Sequence, residues 1–311
     1  MDGMQPDSTV TPWRRPAVGR ASAHPLGRLA AGEKVERLME IDNEALRRLV
    51  VACETKFVLA QSGRILREND PDRSAGPRLF IAGCPVGNVA YIRHDVSDRT
   101  SERMLDLLNA EPPWLKPAAR PLRFREVMEL LVGEQPVTSI EASLIYALPP
   151  QRPLEGGPRF ICSGTDEGAS LLERLQRSGL PRHLVDAGFA NFRDFWAPWC
   201  VALDGDAIAA VAFAARLGER GAEVGVYTFA DWRSRGLAAA VTAKWSCHSE
   251  LASRELFYST TVANASSQRV AARLDLQQFA IGLRVTYAEC GSARLEHTAR
   301  GSISCAVGRS I

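Results

Sequence analysis

The sequence predicts an α/β (α+β) protein, with a mixed-sheet C-terminal domain over residues 156–289 and a smaller α/β domain over 35–155. Three observations predict it. Strand-like runs follow one another from Trp199 to Phe229, and the turn Arg233-Ser234-Arg235-Gly236-Leu237-Ala238 leads from the last of them into an Ala-rich stretch of helical spacing. A further strand, an Asn-led helix and a last strand then close the series.

Taken in order, residues 1–34 are rich in Pro, Arg, Ser and Ala without periodicity and read as a disordered extension. Asp42 to Leu59 opens on a capping residue and sets Leu46, Leu49, Val50, Cys53 and Phe57 on one face, which predicts a helix. Leu79–Ala82 and Asn88–His94 predict strands around the Gly83–Gly87 turn. Helices are predicted over Thr100–Asn109 and Phe124–Val132, and a strand over Ser139–Leu148 ends at two prolines.

The second series begins with helices over Asp166–Ser178 and Leu184–Phe195. Trp199–Leu203 breaks at Asp204-Gly205-Asp206, and Ala207–Leu217 and Glu223–Phe229 flank Gly218-Glu219-Arg220-Gly221, so antiparallel hairpins are expected. Leu237–Leu251 predicts a helix, Glu255–Val262 a β-branched and aromatic strand, Gln268–Leu274 a short helix and Phe279–Tyr287 the last strand. Residues 290–311 read as a flexible tail.

The Arg233–Ala238 turn is the most informative stretch. A glycine without a side chain at the start of a helix lets an anion approach the backbone, and Ser234, Arg235, Gly236, Leu237 and Ala238 can all donate N–H groups to it. Arg233 and Arg235 add positive charge. A phosphate-bearing ligand is the expectation, against an ordinary surface turn.

The stretch from Glu223 to Ala240, with Tyr258 to Leu276, resembles the core of the GNAT superfamily of acyl-CoA-dependent N-acetyltransferases. That family's pyrophosphate signature falls on Arg233, Gly236 and Ala238, and its Asn-led helix on Asn264. The resemblance implies a GNAT fold with a mixed, splayed central sheet and acetyl-CoA as acyl donor. It also implies that Thr228, Phe229 and Ala230, beside the splay, and Asn264, across it, contact the pantetheine arm; Ser267 is a further candidate for the cofactor site and for the proton donor, with capping of its helix as the simpler reading. The segment before it, with Asn69-Asp70-Pro71, Pro77-Arg78-Leu79-Phe80 and Glu111-Pro112-Pro113, resembles one that accompanies a set of bacterial GNAT proteins. It has no phosphate turn of its own, so a degenerate second half, a substrate-shaping module and a dimerising module all stay open.

Acetyl transfer needs a neutral amine beside the thioester, polarisation of its carbonyl and a route for protons. By analogy, a backbone N–H near Phe229 polarises the carbonyl. Glu223 is the candidate general base, or else a strand-edge charge facing solvent. Many family members carry a Tyr seven residues after the Asn, but this chain has Ala271, so Tyr258 and Tyr287 become the candidate acids, with Tyr227 behind them. Phe192, Phe195, Trp196 and Trp199 could line an acceptor site or simply pack.

Composition narrows the class further. With 38 basic and 36 acidic residues the net charge is +2, and only Lys34, Lys56, Lys116 and Lys244 are lysine, so no basic field for nucleic acid is expected. No long apolar run suggests a membrane span, and the first thirty residues are charged and proline-rich where a secretory leader would be apolar, so a cytoplasmic protein is expected. The seven cysteines lack C-x-x-C spacing and the five histidines are scattered, which argues against a metal site or a disulfide framework. The expected function is acetyl transfer from acetyl-CoA to a primary amine of a small molecule or peptide, with a homodimer allowed for. The alternative is a non-catalytic acyl-CoA-binding or regulatory protein.

Overall fold

The computed structural model describes residues 44–151 and 157–286. The extension at 1–34, the tail at 290–311 and Tyr287 lie outside them. Helix α1 (Glu44–Lys56) buries Leu49, Val50 and Cys53 but stops short of the expected Leu59. Phe57–Leu59 instead forms a short strand β1, antiparallel to β2 (Ile65–Glu68). The reason is tertiary: the Phe57 ring meets Phe80 edge-on at 5.1 Å, and that packing outweighs the helical spacing.

Strands β3 (Leu79–Cys84) and β4 (Gly87–Ile92) form a hairpin, followed by α2 (Asp98–Asn109), α3 (Phe124–Val132) and β5 (Ser139–Ala147). Ser97 caps α2 by accepting from the Thr100 N–H, as a serine before a helix should. Beyond residue 156 come β6 (Arg159–Cys162), a strand the sequence did not announce, and α4 (Asp166–Ser178). The helix expected over Leu184–Phe195 is only α5 (Arg182–Asp186), because Gly188 turns the chain at φ 94° and Asn191 starts a separate short turn of 3-10 helix.

Strands β7 (Trp199–Asp204), β8 (Ala207–Leu217) and β9 (Gly221–Thr228) form the expected antiparallel run. They lead to α6 (Leu237–Ser246), β10 (Glu255–Thr261), α7 (Ala265–Arg273) and β11 (Gln278–Thr286). Helix α6 ends before the expected Leu251, and His248 caps a short 3-10 turn after it. Trp245 anchors α6: it is fully buried and its indole N–H donates to the Pro198 carbonyl at 2.7 Å.

Nine strands share one sheet in the order β4-β3-β11-β5-β10-β9-β8-β7-β6. Every pairing is antiparallel except β9 with β10, which α6 joins as a crossover and which therefore run parallel. Strand β5, from the section before residue 152, lies between β10 and β11, so hydrogen bonding runs unbroken from one section into the other. The two stretches share a sheet.

Side chains alternate across that sheet. Ala210, Ala212, Ala214, Leu256, Tyr258 and Leu283 face the side covered by α2, α3, α6 and α7. Val211, Phe213, Phe257 and Ile145 face the side covered by α1, α4 and α5. Small residues let α6 lie close on the first side. On the second, a Cβ at Gly221 would press on Thr55, Val51 and the Phe257 ring, so α1 lies against β9.

One expectation needs correcting. Cys162 and Cys200 stand opposite each other where β6 pairs with β7, with Cα atoms 4.1 Å apart, and are disulfide-bonded. Strand register brought together residues 38 apart, which no local spacing rule could show. Among the described residues, no helix is long and apolar enough to cross a membrane and no group of side chains could hold a metal ion.

Candidate active site

The site begins where β9 and β10 stop pairing. They are hydrogen-bonded only from Gly221↔Glu255 to Glu223↔Phe257. Beyond that point β9 stays with β8 as far as Thr228↔Ala210, while β10 stays with β5 as far as Thr261↔Ser143. The sheet therefore forks, and the freed edge of β9 borders a cleft of about 450 Å³. An unpaired strand edge offers backbone donors and acceptors to an extended ligand.

The outer end of the cleft is the turn before α6. Gly236 is the N-cap in the left-handed region at φ 81°, Ser234 is also left-handed at φ 65°, and no side chain caps the helix. The first-turn N–H groups of α6 therefore point outward without a side-chain acceptor. A Cβ at Gly236 would lie 2.7 Å from a guanidinium nitrogen of Arg273, which reaches over the turn from α7. Arg233, Arg269 and Arg273 all line the cleft and no Asp or Glu does. Among the described residues Arg233 holds only the Thr228 carbonyl at 3.3 Å and the Tyr227 hydroxyl at 3.4 Å, and Arg269 the Ser266 hydroxyl at 2.9 Å. That is a site for anionic groups.

Thr228, Arg233, Ser234, Gly236, Leu237, Ala238, Tyr258, Asn264 and Ser267 line the cleft. The Thr228 Oγ1 is buried without a hydrogen-bond partner, a donor left over for a ligand. Asn264 caps α7, its Oδ1 accepting the Ser267 N–H at 2.9 Å, so its amide nitrogen is the group left to face the cleft. Uncapped helix, cationic rim and orphaned hydroxyl together fit an extended ligand ending in a diphosphate, which is the shape and charge of coenzyme A.

Other expected residues stand elsewhere. Phe229 is buried among Phe189, Tyr227 and His183, and its N–H donates to the Ala209 carbonyl at 3.1 Å, so it is not free to polarise a thioester. The freed edge from Val224 to Thr228 is the available source of such a donor. Ala230 starts a short 3-10 turn facing solvent, and Arg235 reaches away to Asp204 at 3.3 Å. Phe195 and Trp199 pack in the core under β7.

At the inner end, Glu223 is buried rather than facing solvent. Its carboxylate pairs with the Lys56 ammonium, and that ammonium also donates to the Ser259 hydroxyl at 2.9 Å. Ser259 lines the cleft while Glu223 does not. Lys56 thus spans the base of the fork, tying one splayed strand to the other from α1. Sequence reading missed Lys56, Ser259, Arg269 and Arg273; only the i, i+4 arginines on the Asn-led helix left a visible sign.

Tyr258 lies on the cleft wall. Its hydroxyl bonds to the Ser267 Oγ at 2.6 Å, and burial pushes its pKa up from 10 to about 12 against the lowering effect of that bond, with Tyr146 adding to the rise. The phenol stays protonated at neutral pH. Ala271 is buried one turn beyond Ser267 on the same face of α7. The Tyr258 hydroxyl reaches that face of α7 from the strand.

No family model matches the sequence, and no curated protein is similar to it at a significant level. Solved structures do match. A GNAT-family protein from Novosphingobium aromaticivorans is 19% identical with a TM-score of 0.35, the match covering 50% of this chain and 68% of that one. A GCN5-related N-acetyltransferase from Kribbella flavida is 17% identical with a TM-score of 0.35, over 52% and 64%. One from Sphaerobacter thermophilus is 14% identical with a TM-score of 0.37, over 86% and 92%. The chain's own geometry is a mixed sheet forked at β9 and β10 with an uncapped glycine turn at the mouth of the fork.

Proposed function

We propose that this protein is an N-acetyltransferase that moves an acetyl group from acetyl-CoA to a primary amine. The observation that carries the reading is the continuity of the fork with the Gly236 turn, which gives one cleft an anion-binding mouth and a free strand edge. Gly236, Leu237 and Ala238 would hold the diphosphate with backbone N–H groups, helped by Arg233 and Arg273. Thr228, Asn264 and the β9 edge would align the pantetheine arm. Acetyl-CoA, when bound, supplies an activated thioester.

Each remaining step falls to side chains of the chain. Tyr258, held protonated and oriented by Ser267, donates a proton at its Oη to the departing sulfur. Glu223 takes the amine's proton once its pairing with Lys56 loosens. The β9 edge donates to the carbonyl oxygen. The acceptor is a small-molecule or peptide amine.

A second reading, that of an acyl-CoA-binding protein without turnover, is favoured by the inner end. There Glu223 is buried and already paired with Lys56. A thiol-release assay with acetyl-CoA across classes of amine separates the two. Free CoA forming with at least one amine supports transfer, and silence across a broad panel from a protein that binds acetyl-CoA supports the second.

A further inference from the structure

Lys56 is unusual among the described lysines. Lys116 is exposed and Lys244 half-exposed, whereas Lys56 is 8% exposed and puts its amine within hydrogen-bond distance of a residue that lines the cleft. It stands at the vertex of the fork, where β9 and β10 separate, facing a carboxylate on one strand and a hydroxyl on the other. A primary amine beside a carboxylate that can take its proton is the arrangement an acyl transfer requires of its acceptor.

We propose that Lys56 is itself an acceptor of the cleft, acetylated within its own chain. The inference rests on the cleft holding acetyl-CoA. The Lys56 ammonium gives one proton to the Glu223 carboxylate, which keeps it as a carboxylic acid. The neutral Nζ then bonds to the acetyl carbon as the carbon–sulfur bond breaks, and its second proton ends on the sulfur. The products are Nε-acetyl-Lys56, the CoA thiol and a protonated Glu223. No oxidant, reductant or further reactant is needed. The acetylated side chain carries no charge, so the reaction also dissolves the ion pair that occupies Glu223.

The test is to incubate the purified full chain with acetyl-CoA, map acetylation at Lys56, Lys116 and Lys244 by mass spectrometry over time, and follow the melting temperature in parallel. Solution chemistry modifies exposed lysines slowly, so Lys116 and Lys244 report the background rate. The inference requires Lys56 to be modified at least about tenfold faster than either, at a rate independent of protein concentration. It also requires Lys56→Arg, which keeps the positive charge, to lose the modification while keeping the melting shift. A melting shift with Lys56 modified no faster than the other two overturns this inference and leaves the cleft reading intact. Absence of a melting shift overturns the cleft reading, and this inference with it.

Discussion

The two ends of the cleft are built on opposite principles. At the outer end three arginines face the cleft with no carboxylate among its lining residues, and a helix begins without a side-chain cap. At the inner end charges are matched: Lys56 pairs with Glu223, and nearby Glu68 pairs with Arg216 and Arg284. Exposed cations and uncapped N–H groups are held by water that an anion can displace, so the outer end is open to binding. A matched buried pair is self-sufficient. It must be opened before either partner can act on anything else, which is why binding is easier to read here than catalysis.

The difference can be broken most forcefully at the inner end. Lys56→Met leaves the Glu223 carboxylate buried without its partner and is expected to destabilise the protein by ~3–5 kcal/mol, whereas Lys56→Met with Glu223→Met recovers most of that loss. Denaturant unfolding of the single and double variants checks it. Equal stability of wild type and Lys56→Met would mean that the pair is not held in solution.

On the wall between the two ends, Tyr258→Phe is expected to lower the turnover number about 10- to 100-fold with little change in acetyl-CoA affinity. The same residue has a signature in stability. Because its folded pKa is raised from 10 to about 12, its contribution is fully present below pH 10 and is lost as the pH rises through 12. Alkaline melts of wild type should fall across that window more steeply than those of Tyr258→Phe. Parallel curves would remove the buried phenol from the account.

The smallest effect belongs to a single charge at the rim. Arg273→Ala should weaken acetyl-CoA binding by roughly five- to tenfold at low salt and by less at high salt, because a solvent-facing charge is screened. A titration at two ionic strengths checks both the size and the salt dependence. A loss independent of salt would point to packing by the arginine stem.

What the sequence made legible is what short-range patterns encode. The Arg233–Ala238 turn, the antiparallel run into it and the Asn264 cap each lie within a few residues of the signals that specify them. The contacts that escaped it are long-range. Lys56 meets Glu223 across 167 residues, and β5 inserts between β10 and β11 from the far side of residues 152–156. Phe229 looked available for catalysis because its N–H follows the splayed strand, yet its bond to Ala209 is set by β8, which a local pattern does not contain.

The central claim is that the turn at Gly236 holds the diphosphate of a cofactor lying in the fork. Thermal melts of wild type and Gly236→Arg against increasing acetyl-CoA test it most directly, since the added side chain enters the space that Arg273 borders. Wild type should gain about 2.7 kcal/mol at a hundredfold excess over Kd, a shift of a few degrees, and Gly236→Arg should show none while remaining folded. An equal shift in both proteins would contradict the claim.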